Sequence, residues 1–223
     1  MTDKHTGKQQ DRRYRGPDID VTYNLGRCIH ARECVKGLPA VFDTHKRPWI
    51  QPENASAERI TEVVRRCPTG ALHVIPKEGQ PGESIPPTNT IYLEENSYLR
   101  LVGNLRLSGA NVAIESETRA ALCRCGASQN KPFCDDSHRE IDFRTPPVAV
   151  DQEAEAPGPP AGGVLQITFH SNGPIEVTGS FEIRNQQGEL VARGSNDWLC
   201  RCGGSNNKPF CDNTHKRNGF QAP

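Results

Sequence analysis

The chain has 223 residues, equal numbers of acidic and basic side chains, 34% apolar residues, 20 Gly, 18 Pro and nine Cys. Balanced charge argues against a nucleic-acid partner, and no apolar run approaches the roughly 18 residues of a membrane span. The apolar content is too thin for one large core, so small modules stapled by bound metal are expected.

In chain order, Met1 to Gly16 is polar and basic, with Lys4, Lys8, Arg12, Arg13 and Arg15. Its composition predicts a disordered tail over 1–16. It has no apolar export segment, so a cytoplasmic, reducing location is expected, where spaced cysteines serve as ligands rather than disulfides. A first module follows over 17–75. Val21 and Tyr23 predict a strand. Ile60, Val63, Val64 and Cys67 recur at helical spacing behind Asn54 or Ser56 as N-cap, Pro68 stops the helix, and Leu72 and Val74 predict a closing strand. Phe42 and Trp49 read as core. This module carries Cys28, Cys34 and Cys67, the last in a Cys67-Pro68 step.

A Pro/Gly-rich linker, 76–87, leads to a second module at 88–149. A second such linker, 150–163, leads to a third module at 164–223. The last two are an internal repeat. Ile91 and Leu93 match Ile167 and Phe169, Leu99 and Leu101 match Ile175 and Val177, Leu105 and Leu107 match Phe181 and Ile183, and Phe143 matches Phe220. Period-two alternation predicts about three short strands per repeat, then a ligand loop with one helical turn near its His. An isolated sheet of this size is marginal, so the repeats are expected to pack on each other as a pseudo-twofold unit.

Each repeat ends in three thiols and an imidazole at one spacing: Cys123, Cys125, Cys134 and His138, then Cys200, Cys202, Cys211 and His215. A structural zinc site uses the same donors. The tight C-x-C pair instead suits one iron of a two-iron cluster, with the Cys and His of C-x3-H on the other. The motif, with Ser128, Pro132, Phe133 and Asp135 and their counterparts Ser205, Pro209, Phe210 and Asp212, resembles the CDGSH iron-sulfur family. The resemblance implies one [2Fe-2S] cluster per repeat and reads the tandem as a fused dimer. The Gly of the family motif is replaced by Asp136 and Asn213, and its Ser by Thr214 in the second copy. Lys131 and Lys208 could offset cluster charge or be surface residues. Arg124 and Arg201 read rather as solvated. Asp135 and Asp212 could cap the turn presenting the His, and Ser128 and Ser205 could donate to a sulfide.

In the first module, Cys28 and Cys34 are five residues apart, and Ala31 stands at the middle position of the bacterial ferredoxin spacing. With Arg27-Cys28-Ile29-His30-Ala31 and Arg47-Pro48-Trp49-Ile50, the stretch from about Asp18 to Ile75 resembles the divergent 4Fe-4S mono-cluster domain family. That implies a [3Fe-4S] or [4Fe-4S] cluster on Cys28, Cys34 and Cys67, with His30 a possible fourth ligand. The alternative is three buried, metal-free cysteines.

The expected fold class is α+β: a small ferredoxin-like α+β domain, then two mostly-β CDGSH modules forming an intrachain pseudo-dimer. The expected function is one-electron transfer by a multi-cluster iron-sulfur carrier, not an enzyme, exchanging with a redox partner protein or an apo-acceptor. The alternatives are cluster storage, transfer or redox sensing, and a structural zinc scaffold.

Overall fold

The computed structural model describes residues 11–109, 111–148 and 162–223. The chain divides into one unit ending at Ser84 and another running from Ile85 to Pro223. The first mixes short strands with short helices, and the second is built mostly of strands.

The first unit is a three-stranded antiparallel sheet in the order β1 (Arg12–Tyr14), β2 (Ile19–Tyr23), β3 (Leu72–Pro76). Two helices accompany it, α1 (Glu33–Gly37) and α2 (Ala57–Val64). Helix α2 begins at Ser56, whose hydroxyl accepts the Arg59 N–H, and its apolar face buries Ile60, Val63 and Val64. That stripe packs with Ile19, Val21, Phe42, Ile50 and Leu72 in one core, with Trp49 at its edge.

Strand β1 lies inside the stretch expected to be a disordered tail. Arg12, Arg13 and Tyr14 pair with Tyr23, Thr22 and Val21. Arg13 bonds the buried Asp20 carboxylate, which gives this polar segment a reason to order. The remainder of that expected tail, residues 1–10, lies outside the described residues, as does most of the 150–163 linker. The 76–87 linker contributes to the first unit, because Glu83 accepts hydrogen bonds from the Val74 N–H and the His73 ring.

The second unit is a six-stranded sheet: β4 (Thr90–Leu93), β5 (Leu99–Gly109), β6 (Val112–Leu122), β7 (Val164–Phe169), β8 (Ile175–Asn185) and β9 (Leu190–Leu199). The apolar strand positions matched between the repeats are all buried in its core, Ile91, Leu105, Ile167 and Ile183 among them, while Phe143 and Phe220 are buried outside that cluster. β5, β6, β8 and β9 run longer than the short strands expected, because bulges after Val102 and Thr178 carry β5 and β8 past their glycines.

Those bulges mark an exchange of partners. β5 pairs with β6 along one edge; its other edge is filled by β4 over Leu99–Val102, then by β7 over Asn104–Gly109. β8 is filled reciprocally, by β7 over Ile175–Thr178 and by β4 over Glu182–Asn185. Each repeat thus lends its short strand to the long strand of the other. The buried Asn89 amide pins the crossing, donating to Gly163 O and Ser180 O and accepting from Asn104 N.

Candidate iron-binding sites

Each ligand loop of the second unit is a hairpin off the end of a long strand. After β6, Cys123 N donates to Pro132 O at 2.9 Å and Cys134 N to Ala121 O at 2.9 Å. After β9, Cys200 N donates to Pro209 O at 2.8 Å and Cys211 N to Trp198 O at 2.7 Å. This pairing brings the C-x-C segment beside the third cysteine in both repeats. The expected helical turn appears at His215 as a 3-10 turn, Thr214–Lys216.

The donors fall into two pairs per repeat. Cys123 and Cys125 Sγ are 3.7 Å apart, and Cys134 Sγ is 3.6 Å from His138 Nδ1. Cys200 and Cys202 Sγ are 3.7 Å apart, and Cys211 Sγ is 3.5 Å from His215 Nδ1. Backbone amides aim at the sulfurs: Ala127 N at Cys125, Asp136 N at Cys134, Asn213 N at Cys211. The hydrogen bond from its C-x-C neighbour pulls the Cys125 thiol down to about 7 and the Cys202 thiol to about 5, and pushes Cys123 and Cys200 up. Burial pushes Cys134 up to about 12 and lowers His138, so that imidazole stays in the neutral form that binds metal. Three soft donors and one imidazole, in two close pairs with amides turned toward sulfur, fit a two-iron cluster; the set also satisfies zinc.

The supporting residues are mostly in other roles than expected. Ser128 and Ser205 donate to Phe133 O and Phe210 O, both at 2.7 Å, and accept from Asn130 N and Asn207 N. Their hydroxyl protons are spent inside the loop instead of on a sulfide. Lys131 Nζ and Lys208 Nζ cap Ser128 O and Ser205 O. Asp135 and Asp212 do cap the His turn, accepting from Ser137 N and Thr214 N. Each also accepts from the C-x-C side, at Gln129 N and Asn206 N, which ties the two halves of the loop together. Asp136 and Asn213, where the family motif has Gly, have φ of 70° and 65°. That left-handed region favours Gly and admits Asp and Asn at small cost, so the departure keeps the turn.

Arg124 and Arg201 correct the expectation of solvated residues. They are 4% and 2% exposed. Arg124 donates to Ser97 O and Glu94 O; Arg201 donates to Gly173 O, His170 O and Pro223 O. Burial lowers both to about 10, still charged at neutral pH. Arg124 feels Cys200 and Arg201 feels Cys123, so each guanidinium sits in the field of the opposite repeat's first cysteine. Nη1 of Arg201 is buried without a hydrogen-bond partner.

The repeats meet at a bridge between Cys125 and Cys202. Gly126 and Gly203 make the approach possible. Both have positive φ, and a Cβ on either would lie 2.7 Å from Cys202 O or 2.4 Å from Cys125 O. The sites differ at the imidazole. His138 Nε2 is 2.9 Å from Ser97 Oγ. The corresponding position in the second repeat is Gly173, and among the described residues none hydrogen-bonds His215 Nε2. An opening of 610 Å³ lined by His170, Trp198 and Lys216 reaches Cys211 and His215.

In the first unit, Cys28 follows a 3-10 turn (Leu25–Arg27), Cys34 lies in α1 and Cys67 follows α2. All three line one small cavity, with Ala31, Trp49 and Thr69 on its wall. Burial pushes Cys34 up to about 11, and the charges of Cys67 and Cys28 add to the effect. The buried Arg27 braces the site by donating to Thr69 O. The structure does not bring His30 into this cavity. His30 is exposed and does not line it, although its Nδ1 is 4.0 Å from Cys28 Sγ. Sequence reasoning missed Ser97 and the buried arginines. The C-R-C repeat flagged the arginines' positions without revealing their environment.

Comparison with known proteins agrees with this geometry. Residues 14–77 match the family described as divergent 4Fe-4S mono-cluster, and residues 98–139 and 172–216 match the iron-binding zinc finger CDGSH type. The chain is also 38% identical over 59 residues to the uncharacterized protein YjdI of Escherichia coli K12, and equally to that of strain O157:H7. The match covers 26% of this chain and 78% of each relative. No helix among the described residues is long and apolar enough to cross a membrane.

Proposed function

Since the chain belongs to the divergent 4Fe-4S mono-cluster and CDGSH iron-binding families, we propose that it is a multi-cluster electron carrier with two [2Fe-2S] sites and one [3Fe-4S] or [4Fe-4S] site. The observation that carries this reading is the duplicated donor geometry, two pairs at 3.5 to 3.7 Å in each repeat. Cys123, Cys125, Cys134 and His138 would hold the first group, Cys200, Cys202, Cys211 and His215 the second, and Cys28, Cys34 and Cys67 the third.

When bound, such a group supplies reversible one-electron change, and an imidazole in place of a thiolate makes it easier to reduce than its all-Cys counterpart. The chain's own residues do the rest. Burial of Cys123, Cys134 and His138 keeps water from the first donor set. Arg124 and Arg201 place fixed positive charge between the sites. The reciprocal pairing of β4 with β8 and β5 with β7 supports reading the two repeats as one pseudo-twofold unit. Nothing in this arrangement requires a bound substrate, so we read the protein as a carrier rather than an enzyme, meeting a redox partner protein.

The test is a set of optical and electron paramagnetic resonance spectra of the anaerobically purified chain beside three variants: Cys28→Ser, Cys125→Ser and Cys202→Ser. Three separable losses of signal support the reading. Unchanged spectra in all three variants contradict it.

A second reading is cluster transfer to an apo-acceptor. The opening at Cys211 and His215 favours it, because an acceptor thiol needs that access. Transfer to apo-ferredoxin that is faster from the second repeat than from the first would support this reading.

A further inference from the structure

Beside the cavity of the first unit lies a larger open basin of 980 Å³ that reaches Cys28 and Cys34 from outside. Its wall is aromatic: Tyr23 and Tyr14 meet the Trp49 ring edge-on, with centroids 4.9 Å and 6.4 Å away. Its rim is cationic. Arg12 comes from β1, Arg32 and Lys36 flank and occupy α1, and Arg47 lies on the loop before Trp49. Among the described residues, no ion pair or side-chain hydrogen bond engages Arg12, Arg32 or Lys36. Arg47 is held in place by donating to Thr44 O and Lys46 O. The carboxylate on the lining, Asp43, is taken up by the His45 N–H and by Lys46 at 3.8 Å. The basin is therefore a positive, aromatic-floored surface on a chain whose overall charge is balanced.

We propose that this basin docks an acidic electron-carrier protein, whose carboxylates meet Arg12, Arg32, Lys36 and Arg47 while its surface covers Tyr14 and Trp49 beside Cys28 and Cys34. The proposal rests on the electron-carrier reading above. A protein fits better than a small anion because the cations stand exposed around an open mouth, whereas small-ligand sites enclose most of the ligand. Exposed complementary charge raises encounter rates and orients partners, and salt screens it. In the exchange, one electron leaves the reduced partner, which is oxidised, and enters this chain, which is reduced; no bond forms or breaks.

The experiment is stopped-flow reduction of the iron-loaded full chain. The probes are a reduced acidic plant-type ferredoxin and reduced methyl viologen, a cationic one-electron donor of similarly low potential. The variant Arg12→Glu/Arg32→Glu/Lys36→Glu changes exposed side chains only. For the wild-type chain, the expected rate constant with ferredoxin falls at least about tenfold as salt rises from about 0.05 to about 0.5 M. The variant loses at least about tenfold at the low salt, while its reduction by dithionite is unchanged. A variant as fast as wild type with ferredoxin, or one slowed equally with methyl viologen, overturns the docking surface. So does micromolar binding of FMN that the variant abolishes while ferredoxin reduction is untouched. A chain that dithionite cannot reversibly reduce overturns the electron-carrier reading itself, an outcome distinct from loss of the docking effect alone.

Discussion

At the residue scale, the decisive features are charges placed where water cannot reach them. Arg201 is 2% exposed, donates to three backbone carbonyls, keeps its Nη1 without a hydrogen-bond partner and sits in the field of the opposite repeat's Cys123. Replacing it with Met strands those carbonyls and removes a positive charge. The expected cost to the iron-loaded second unit is about 3 kcal/mol in urea unfolding, since each buried acceptor left unpaired costs about 1–3 kcal/mol. Asp20 makes the corresponding argument for the first unit. Burial alone would raise its carboxyl, but the Gly16 N–H and the Arg13 guanidinium, with Lys77 near, outweigh burial and hold it below 3.8. A carboxyl lowered on folding contributes stability that is present above its unfolded value and lost as pH falls through its folded one. The first unit should thus lose stability below about pH 4. In Asp20→Asn that acid-side slope should flatten, while stability at pH 7 falls. Urea titrations at several pH values check both.

At the element scale, the loops and strands explain how equal motifs become unequal sites. Ser97 precedes β5 and meets His138 Nε2; its counterpart before β8 is Gly173. Hydrogen bonds behind a ligating imidazole fix its orientation, and losing one costs about 10–100-fold in metal affinity. Ser97→Ala should speed iron loss from the first repeat to a chelator at least about tenfold and bring it near the rate of the second. Equal rates for wild type and variant would contradict this. The glycines at the repeat junction make a structural prediction. Gly126→Ala places a Cβ 2.7 Å from Cys202 O at positive φ. It should disturb iron retention in both repeats at once, although only one loop is changed, and optical spectra beside an iron assay would show it.

Much of this scale was legible in the sequence. Ile91, Leu105, Ile167 and Ile183 alternate with polar neighbours, and a period of two is local information. The end of α2 falls at Val64, short of the Cys67 that the helical spacing includes before Pro68, but its start was equally plain, at Ser56 of the two N-cap candidates. Strand β1 was not, because Arg12, Arg13 and Tyr14 look like tail until Val21 and Asp20 are seen to hold them. The exchange of β4 and β7 between the long strands was also hidden, since pairings such as Asn104 with Val164 join residues far apart in the chain.

At the scale of the whole molecule, the chain carries three donor groups, each built from few residues on a small framework. The pairing of the cysteines and histidines of the repeats could be anticipated from the sequence, because their spacing is local. Their surroundings could not: sequence shows the charge of Arg124 but not its burial, and the imidazole of His30 but not its exposure. The thin apolar content seen in the composition has its counterpart in two separate cores, each beside a set of thiols.

The central claim is that the paired thiols and imidazoles of the repeats hold iron with sulfide. The most direct test is the iron, acid-labile sulfide and zinc content of the full chain purified anaerobically from iron-replete cells. The account predicts iron and sulfide in equal amounts from the repeats, about four of each per chain, with more of both from the first unit and little zinc. Stoichiometric zinc without sulfide would contradict it and leave a structural scaffold.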